Sequence, residues 1–187
     1  RGYQTAQNEA EVKFDNVKPE IVDTEVEGTE GRNSWYTSDV EIAVSANDPK
    51  GVLDGYIYQI LSSAGAVLTP ETHVKDVNQS IKNEPNLQRD GIYTVIVQAI
   101  DQAGNRSPSR TLTIQKDTEN PTIGEPQVAN IVENGFRVSV SAGDVTSGID
   151  RYEYYLNGSL AHTSQEGVWE PSDLTPNTYY NVTVRAY

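Results

Sequence analysis

The chain has 187 residues, a formal net charge of −13 at pH 7, and no cysteine. A surface this acidic repels nucleic acid and anionic membranes, so we exclude nucleic-acid binding. Without cysteine, the chain has no disulfide framework, thiolate metal site or cysteine nucleophile. The sequence also lacks an apolar run of the roughly 18 residues that a membrane span needs, so we do not predict membrane insertion of these residues.

The first segment, residues 1–16, is predicted to be the last strand of a preceding module or an N-terminal extension. Residues 4–14 occupy the position that the last strand of a preceding module would have, directly before the first complete module. We therefore interpret the chain as a fragment of a longer protein. The alternative is a frayed N-terminal end, because chain termini are often poorly ordered.

Residues 17–116 are predicted to form the first complete module. Apolar side chains alternate with polar ones along Val40–Ala46, Tyr93–Ala99 and residues 111–115. A period of two is the signature of β-strands, and no segment shows the 3.6-residue period of a helix. Clusters of Gly, Pro, Asn and Asp separate these short strands, which favours an antiparallel sandwich.

The pattern of the first module recurs in residues 117–187, which we predict to be a second module. The strand that begins at Val40 returns 96 residues later at Phe136, and Tyr93 returns 87 residues later at Tyr180. Such self-similarity indicates tandem modules of one fold. The predicted fold class is all-β, with two tandem antiparallel β-sandwiches of which the second lacks its last strand in sequence.

The segment that leads into each module also repeats. Pro19 and Ile21 of the first junction match Pro121 and Ile123 of the second, 102 residues later. Proline fixes its own φ and restricts the residue before it. We therefore assign Pro19 and Pro121 a structural role in semi-rigid joints.

A local motif in the second module resembles the fibronectin type III family. Its apolar, proline and tyrosine positions are Leu174, Pro176, Thr178, Tyr180, Val182, Val184 and Ala186. The resemblance implies a tyrosine corner, in which the Tyr180 hydroxyl bonds to backbone near Leu174–Asn177. In the first module, the run from Asp90 to Asn105, which includes Tyr93, is similar to bacterial Ig-like domains. These resemblances imply an extracellular setting and carry no catalytic residues.

Catalysis is not predicted, and we expect that the chain is not an enzyme. His73 and His162 are the only histidines, and neither has a counterpart in the other module. A catalytic triad needs a base, an orienting acid and a nucleophile in convergent positions, and the sequence does not place such groups together.

No cofactor is predicted, and calcium is a candidate structural ion. Calcium binds six to eight oxygen atoms, many of them from carboxylates. The candidate ligands at the junction are Asp101, Asn105, Asp117 and Glu119. Asp48 also recurs as Asp144, and Asp15 as Asp117. The alternative is that these side chains shape turns by bonding to their own backbone.

Trp35, Tyr36 and Trp169 are candidate ligand-binding residues because exposed flat rings stack on sugars. The alternative is that they cover the end of a sandwich core, where aromatic side chains bury large areas. Exposure would favour binding, and burial would favour a structural role.

The predicted function is a non-catalytic spacer, stalk or adhesion-type module of a bacterial cell-surface or secreted multidomain protein. The alternative is a module that binds a glycan or a host protein through aromatic loop residues. The partners would be neighbouring domains of the same polypeptide. Strand exchange between chains is a further hypothesis, in which the N-terminal segment of one molecule completes the second module of another.

Overall fold

The computed structural model describes residues 14–75 and 80–187, and all of its regular elements are β-strands. The predicted all-β fold is confirmed, while the predicted N-terminal strand falls mainly in residues 1–13, outside the described part. No described helix has the length and apolar character of a membrane span. The strands are β1 (Glu20–Glu27), β2 (Trp35–Tyr36), β3 (Glu41–Asn47), β4 (Leu53–Ser62), β5 (Val67–Val74), β6 (Gly91–Asp101), β7 (Arg110–Lys116), β8 (Thr122–Ile123), β9 (Gln127–Val132), β10 (Gly135–Ser139), β11 (Ala142–Gly143), β12 (Tyr152–Leu156), β13 (Ser159–Ser164), β14 (Val168–Trp169) and β15 (Val182–Ala186).

The chain divides into two compact units. Unit 1 consists of Arg1–Thr29 and Asp39–Gln115, and unit 2 consists of Glu30–Ser38 and Lys116–Tyr187. The segment Glu30–Ser38, which contains β2, therefore belongs to unit 2 although it lies among the residues of the first module in sequence.

Two antiparallel layers form unit 1. One layer pairs β1 with β3, and β3 also forms a bridge between Ile42 and Ile81. The other layer has the strand order β7-β6-β4-β5. Alternate residues of both layers meet in the core, as the period of two predicts. The buried side chains include Ile42, Val44, Tyr56, Ile60, Val95, Val97 and Ile114.

Strand β4 contains an irregularity at Gly55. The register between β4 and β6 shifts between Leu53 and Gly55, and Gly55 has a φ of +145°. Residues with a Cβ atom rarely adopt this backbone conformation. The neighbouring strand approaches closely, because a Cβ added at Gly55 would overlap the carbonyl oxygen of Val74 and lie 2.9 Å from its carbonyl carbon.

A buried carboxylate connects the two layers of unit 1. Tyr58 on β4 donates a hydrogen bond of 2.7 Å to Glu84 Oε2, and Thr69 on β5 donates one of 2.9 Å to Glu84 Oε1. Glu84 lies in the connection that starts at Ile81, which bridges to β3. Burial, followed by the hydrogen bond to Glu84, raises the pKa of Tyr58 far above its usual range.

Unit 2 has two three-stranded sheets, ordered β14-β10-β9 and β13-β12-β15, and a short pair of β11 with β8. Its core is smaller than that of unit 1. Among the described residues, the buried hydrophobic side chains of unit 2 are Val138, Tyr152, Tyr154 and Val184. Phe136, Val182 and Trp169 pack against them while remaining partly exposed.

Strand β15 lies at the end of its sheet and pairs with β12. Its counterpart in unit 1 is β6, since Tyr93 and Tyr180 occupy matching places in the repeat. Strand β6 has β4 on one side and β7 on the other. Within the described residues, β15 therefore pairs with one strand where β6 pairs with two, and β8 lies close to β15 without pairing with it.

Candidate functional site

Three carboxylates of unit 1 come together at one end of the sandwich. Asp15 precedes β1, Asp48 follows β3, and Asp101 ends β6. One oxygen atom from each lies within 4.8 Å of the others. These elements bring the side chains together because the two layers stack face to face, so that their strand ends meet.

Asp101 is the most enclosed member of this acidic cluster, at 2% exposed. Asn105 donates two hydrogen bonds to it, from its backbone N–H to Oδ1 and from Nδ2 to Oδ2, both 2.8 Å long. Burial acts to raise the pKa of Asp101, but the hydrogen bonds from Asn105 and from the backbone of Ala103 and Gly104 outweigh it and lower the pKa. Asp101 is therefore held as a carboxylate.

Asp48 supplies the least satisfied atom of the cluster. Its Oδ1 accepts hydrogen bonds from the N–H groups of Lys50 (3.0 Å) and Gly51 (2.9 Å), as a turn-forming aspartate does. Its Oδ2 is buried and has no hydrogen-bond partner among the residues that the structure describes. A Cβ added at Gly51 would overlap Oδ2 of both Asp15 and Asp48. The two oxygens thus face the same small space, and a cation is the group that would offset their charges.

The other two predicted metal ligands, Asp117 and Glu119, lie in unit 2. Asp117 is buried, and its Oδ1 and Oδ2 accept the N–H groups of Glu119 and Ser147, each at 3.1 Å. Nearby, Asp144 Oδ1 accepts the N–H groups of Thr146 and Ser147 at 2.9 and 2.8 Å. Burial acts to raise the pKa of Asp144, but these backbone hydrogen bonds lower it. Both aspartates thus shape the turns around them.

Trp169, on β14, packs inside unit 2. Its ring stacks on His162 with centroids 5.4 Å apart and planes 11° apart, and it lies 5.5 Å from the ring of Tyr154. Burial raises the pKa of Tyr154 to about 12. Trp169 is half-buried against the core, and His162 covers one face of its ring, so that face is not available to stack on a sugar.

Trp35 borders a cavity of about 560 Å³ in unit 2. The neighbouring side chains are polar and aromatic: Arg32, Asp117, Asp150, Arg151 and Tyr187. Asp150 Oδ2 accepts hydrogen bonds from Arg32 (3.3 Å) and Arg151 (3.2 Å), and the guanidinium of Arg151 lies 4.0 Å from the centre of the Tyr187 ring. The volume lies in the range of small-molecule sites, but the lining is more highly charged than that of most such sites.

Tyr36 follows Trp35 and is half-buried. Its carbonyl oxygen accepts a hydrogen bond of 2.9 Å from the N–H of Asp117. Burial, and then the charge of Glu30, raises the pKa of the Tyr36 hydroxyl. Tyr36 therefore contributes backbone structure to unit 2, while Trp35 contributes the ring that borders the cavity.

The structural tyrosines lie beside the turns that precede their strands. The Tyr93 hydroxyl is within hydrogen-bond distance of the carbonyl oxygens of Arg89 (3.0 Å) and Asp90 (3.2 Å). The Tyr180 hydroxyl accepts the N–H of Thr175 at 3.0 Å. Tyr180 lies two residues before β15 begins.

The predicted joint prolines stand before the first strand of each unit. Pro19 is fully buried and directly precedes β1. Pro121 is half-buried and directly precedes β8. These positions are compatible with proline because the first residues of a strand can lack a donor.

The two histidines lie in different units. His73 Nε2 is 3.3 Å from Asp54 Oδ2 in unit 1, and His162 stacks on Trp169 in unit 2. Each imidazole thus lies on a β-strand, His73 on β5 beside a carboxylate and His162 on β13 beside an indole.

Sequence reasoning did not assign Asp15 and Asp48 to one site with Asp101. The signal was present, since Asp15 and Asp48 both recur in the second module, as Asp117 and Asp144. A shared turn explains that recurrence equally well, and only the packing of the layers shows which carboxylates meet.

No protein-family model matches the chain. The chain is 28% identical over 158 residues to usherin from Rattus norvegicus, an alignment that covers 78% of this chain and 3% of the usherin length. Among solved structures, it is similar to a segment of two fibronectin type III domains from chicken tenascin, with 19% identity, a TM-score of 0.39 and 90% of each chain covered. It is also similar to domains FN1–FN3 of chicken CNTN1, with 19% identity and a TM-score of 0.43, over 94% of this chain and 64% of that one.

Proposed function

We propose that the chain is a non-catalytic spacer or adhesion-type module of a bacterial cell-surface or secreted multidomain protein. The observation that carries this proposal is that the chain divides into two compact units, each with its own buried core. A unit that folds around its own core can be repeated along a chain, because it does not depend on packing against a neighbouring unit. Their partners are then the neighbouring domains of the same polypeptide.

The surface and the motifs support an extracellular role. A net charge of −13 keeps such modules soluble and apart from one another. The bacterial assignment is supported by the run from Asp90 to Asn105, which resembles bacterial Ig-like domains. The absence of cysteine is compatible with modules that are stabilised by packing alone.

The spacer proposal predicts that the chain resists force in two separate steps. When it is stretched between two handles by single-molecule force spectroscopy, we expect two unfolding events, since each unit breaks its own core. The contour length gained in each event should be roughly 3.6 Å for every residue that the unfolding unit releases. A chain that extends smoothly, without two resolved events, would contradict a load-bearing role.

A binding module is the second candidate function, and the cavity beside Trp35 favours it. The cavity combines an indole with carboxylate and guanidinium groups, which suits a glycan or a polar loop of a host protein. Saturable binding of a carbohydrate that disappears in a Trp35→Ala variant would replace the spacer proposal with this one.

We also propose that calcium is a structural ion of unit 1, held by Asp15, Asp48 and Asp101. The support is the buried Oδ2 of Asp48, which no described residue hydrogen-bonds and which lies beside two further carboxylates. Asp101 and Asn105 belong to this proposal as predicted from the sequence. Asp117 and Glu119 remain candidate ligands from the sequence, although their hydrogen bonds also fit a turn.

Removal of calcium is predicted to destabilise unit 1. After chelation, millimolar calcium should raise the melting temperature by roughly 5 °C or more, because an ion that binds only the native state stabilises it by mass action. Asp48→Asn should abolish the shift, while its amide oxygen can still accept the N–H groups of the turn. Asp144→Asn in unit 2 is the matched control and should leave the shift intact. An unchanged melting temperature would identify these aspartates as turn residues only.

A further inference from the structure

The cavity beside Trp35 is lined by residues of unit 2 alone, and many of them are charged. Three carboxylates and two guanidinium groups contribute to the lining: Asp117, Glu119, Asp150, Arg32 and Arg151. Charged groups that are withdrawn from water need opposite charges nearby, so this cavity suits a charged ligand better than a neutral one. The sign of the ligand's charge follows from which of these side chains are already paired.

The two arginines of the lining are paired with carboxylates. Asp150 Oδ2 accepts hydrogen bonds from Arg32 (3.3 Å) and Arg151 (3.2 Å). Asp150 Oδ1 accepts a further hydrogen bond of 3.3 Å from Asn33 Nδ2. Arg151 also forms an ion pair of 3.0 Å with Glu153. Two carboxylates therefore balance the two guanidinium groups, and this part of the lining carries no net charge.

Asp117 and Glu119 have no cationic partner among the residues that the structure describes. Asp117 is 6% exposed, and each of its oxygens accepts one backbone N–H at 3.1 Å. One of these donors, the N–H of Ser147, is shared with Asp144 Oδ1 at 2.8 Å, so two carboxylates divide a single donor. Glu119 is exposed and adds a further negative charge. A cation that enters the cavity would offset this excess.

Trp35 brings an aromatic ring to the same cavity. Its loop is closed by backbone hydrogen bonds from Trp35 N–H to the Arg32 carbonyl (3.0 Å) and from Gly31 N–H to the Trp35 carbonyl (2.7 Å). The carbonyl of Tyr36 accepts the N–H of Asp117 at 2.9 Å, which ties this loop to the acidic part of the lining. A guanidinium can both stack on an indole and match carboxylates with its planar fork, whereas an ammonium is a point charge. The lining therefore favours arginine over lysine.

We propose that the cavity beside Trp35 binds an arginine side chain on a basic segment of a partner protein. The guanidinium stacks on the indole of Trp35 and pairs with the carboxylates of Asp117 and Glu119. The net charge of −13 attracts a basic partner at long range. This inference rests on the binding-module function and names the chemistry of its ligand.

The experiment is an NMR titration of the full chain with the peptide Gly-Ser-Arg-Ser-Gly, followed by the indole N–H signal of Trp35. We expect a saturable shift at millimolar peptide. The same peptide with citrulline, the neutral isostere of arginine, should bind roughly tenfold more weakly, because charge-assisted hydrogen bonds to the carboxylates are lost. A lysine peptide should also bind more weakly than the arginine peptide.

Two variants of the chain separate local charge from overall charge. Glu119→Gln should weaken binding of the arginine peptide roughly threefold, as the loss of an exposed ion pair does, while its backbone N–H still bonds to Asp117. Glu125→Gln is the matched control, since Glu125 is also an exposed residue of unit 2 but lies outside the cavity lining. It should bind the peptide like the original chain.

Equal binding of the arginine and citrulline peptides, or equal effects of the two variants, would overturn the inference, because charge in the cavity would then not determine binding. A response of the Trp35 signal to millimolar calcium but not to the peptide would overturn it as well, since the carboxylates would then serve an ion. Binding of a carbohydrate at Trp35 without binding of the peptide would overturn this inference and leave the binding-module function standing. Binding of neither would remove both, while the force measurement decides the spacer proposal separately.

Discussion

Replacing Gly55 by alanine is expected to destabilise unit 1 by roughly 3–5 kcal/mol, the combined effect of backbone strain and overpacking. Gly55 has a φ of +145°, and a Cβ at this position would overlap the carbonyl oxygen of Val74 on β5. A backbone atom cannot move aside as a flexible side chain can. The strand pair β4–β5 must therefore shift, which disturbs the neighbouring core residue Tyr56.

Gly65→Ala is the control for this prediction. Gly65 also has a positive φ, of +80°, but a Cβ there would meet no atom within 4 Å. Its replacement should therefore cost only the conformational strain, roughly 1–2 kcal/mol. Urea unfolding followed by circular dichroism measures both variants. Equal losses for the two glycines would show that the approach of Val74 does not determine the effect.

Replacing Tyr154 by alanine is expected to destabilise unit 2 by roughly 3–5 kcal/mol, as large-to-small changes of buried aromatic residues do. Tyr154 is 0% exposed and is one of the four buried hydrophobic residues of the described core of this unit. Its hydroxyl donates a 3.0 Å hydrogen bond to the carbonyl oxygen of Glu166. The variant thus loses ring packing and leaves an acceptor unsatisfied. A loss of this size approaches the whole stability of a small domain.

The adjacent Tyr155 provides a matched control. Its side chain lies on the opposite face of β12, where it bonds to Glu153 and contacts the guanidinium of Arg185. Tyr155→Ala should cost only about 1 kcal/mol, since these contacts are partly exposed. In a Trp35→Phe background the fluorescence of Trp169 reports the unfolding of unit 2. A Tyr154→Ala transition that coincides with that of Tyr155→Ala would contradict the central role of Tyr154.

The fold class could be predicted from the sequence because alternation determines which face of a strand is buried. Val95 and Val97 are both fully buried on β6, as their spacing predicts, and Val138 on β10 matches Ile42 on β3 through the 96-residue repeat. The repeat was informative because two copies of a pattern must satisfy the same sheet geometry. The association of Glu30–Ser38 with unit 2 was not predictable, since chain order does not show which loop packs with which core.

The repeat also shows where sequence comparison misleads. Gly55 aligns with Arg151, so the two modules together suggest a position that tolerates a long side chain. The close approach of Val74 removes that tolerance in unit 1, and it depends on where β5 lies rather than on local sequence. The acidic cluster of unit 1 also depends on how the layers pack rather than on local sequence. Asp15, Asp48 and Asp101 are far apart along the chain, so their convergence follows from packing that no local motif encodes.

The buried carboxylate of Glu84 has a consequence for the exchange of backbone amides with solvent. Glu84 ties its connection to Tyr58 and Thr69 on one layer, while Ile81 in the same connection pairs with the other layer. The amides of Leu87 and Gln88 bond to the carbonyl of Glu84. Opening this loop requires both layers to loosen together, so its amides belong to the last cooperative element to open rather than to the fast-exchanging surface loops.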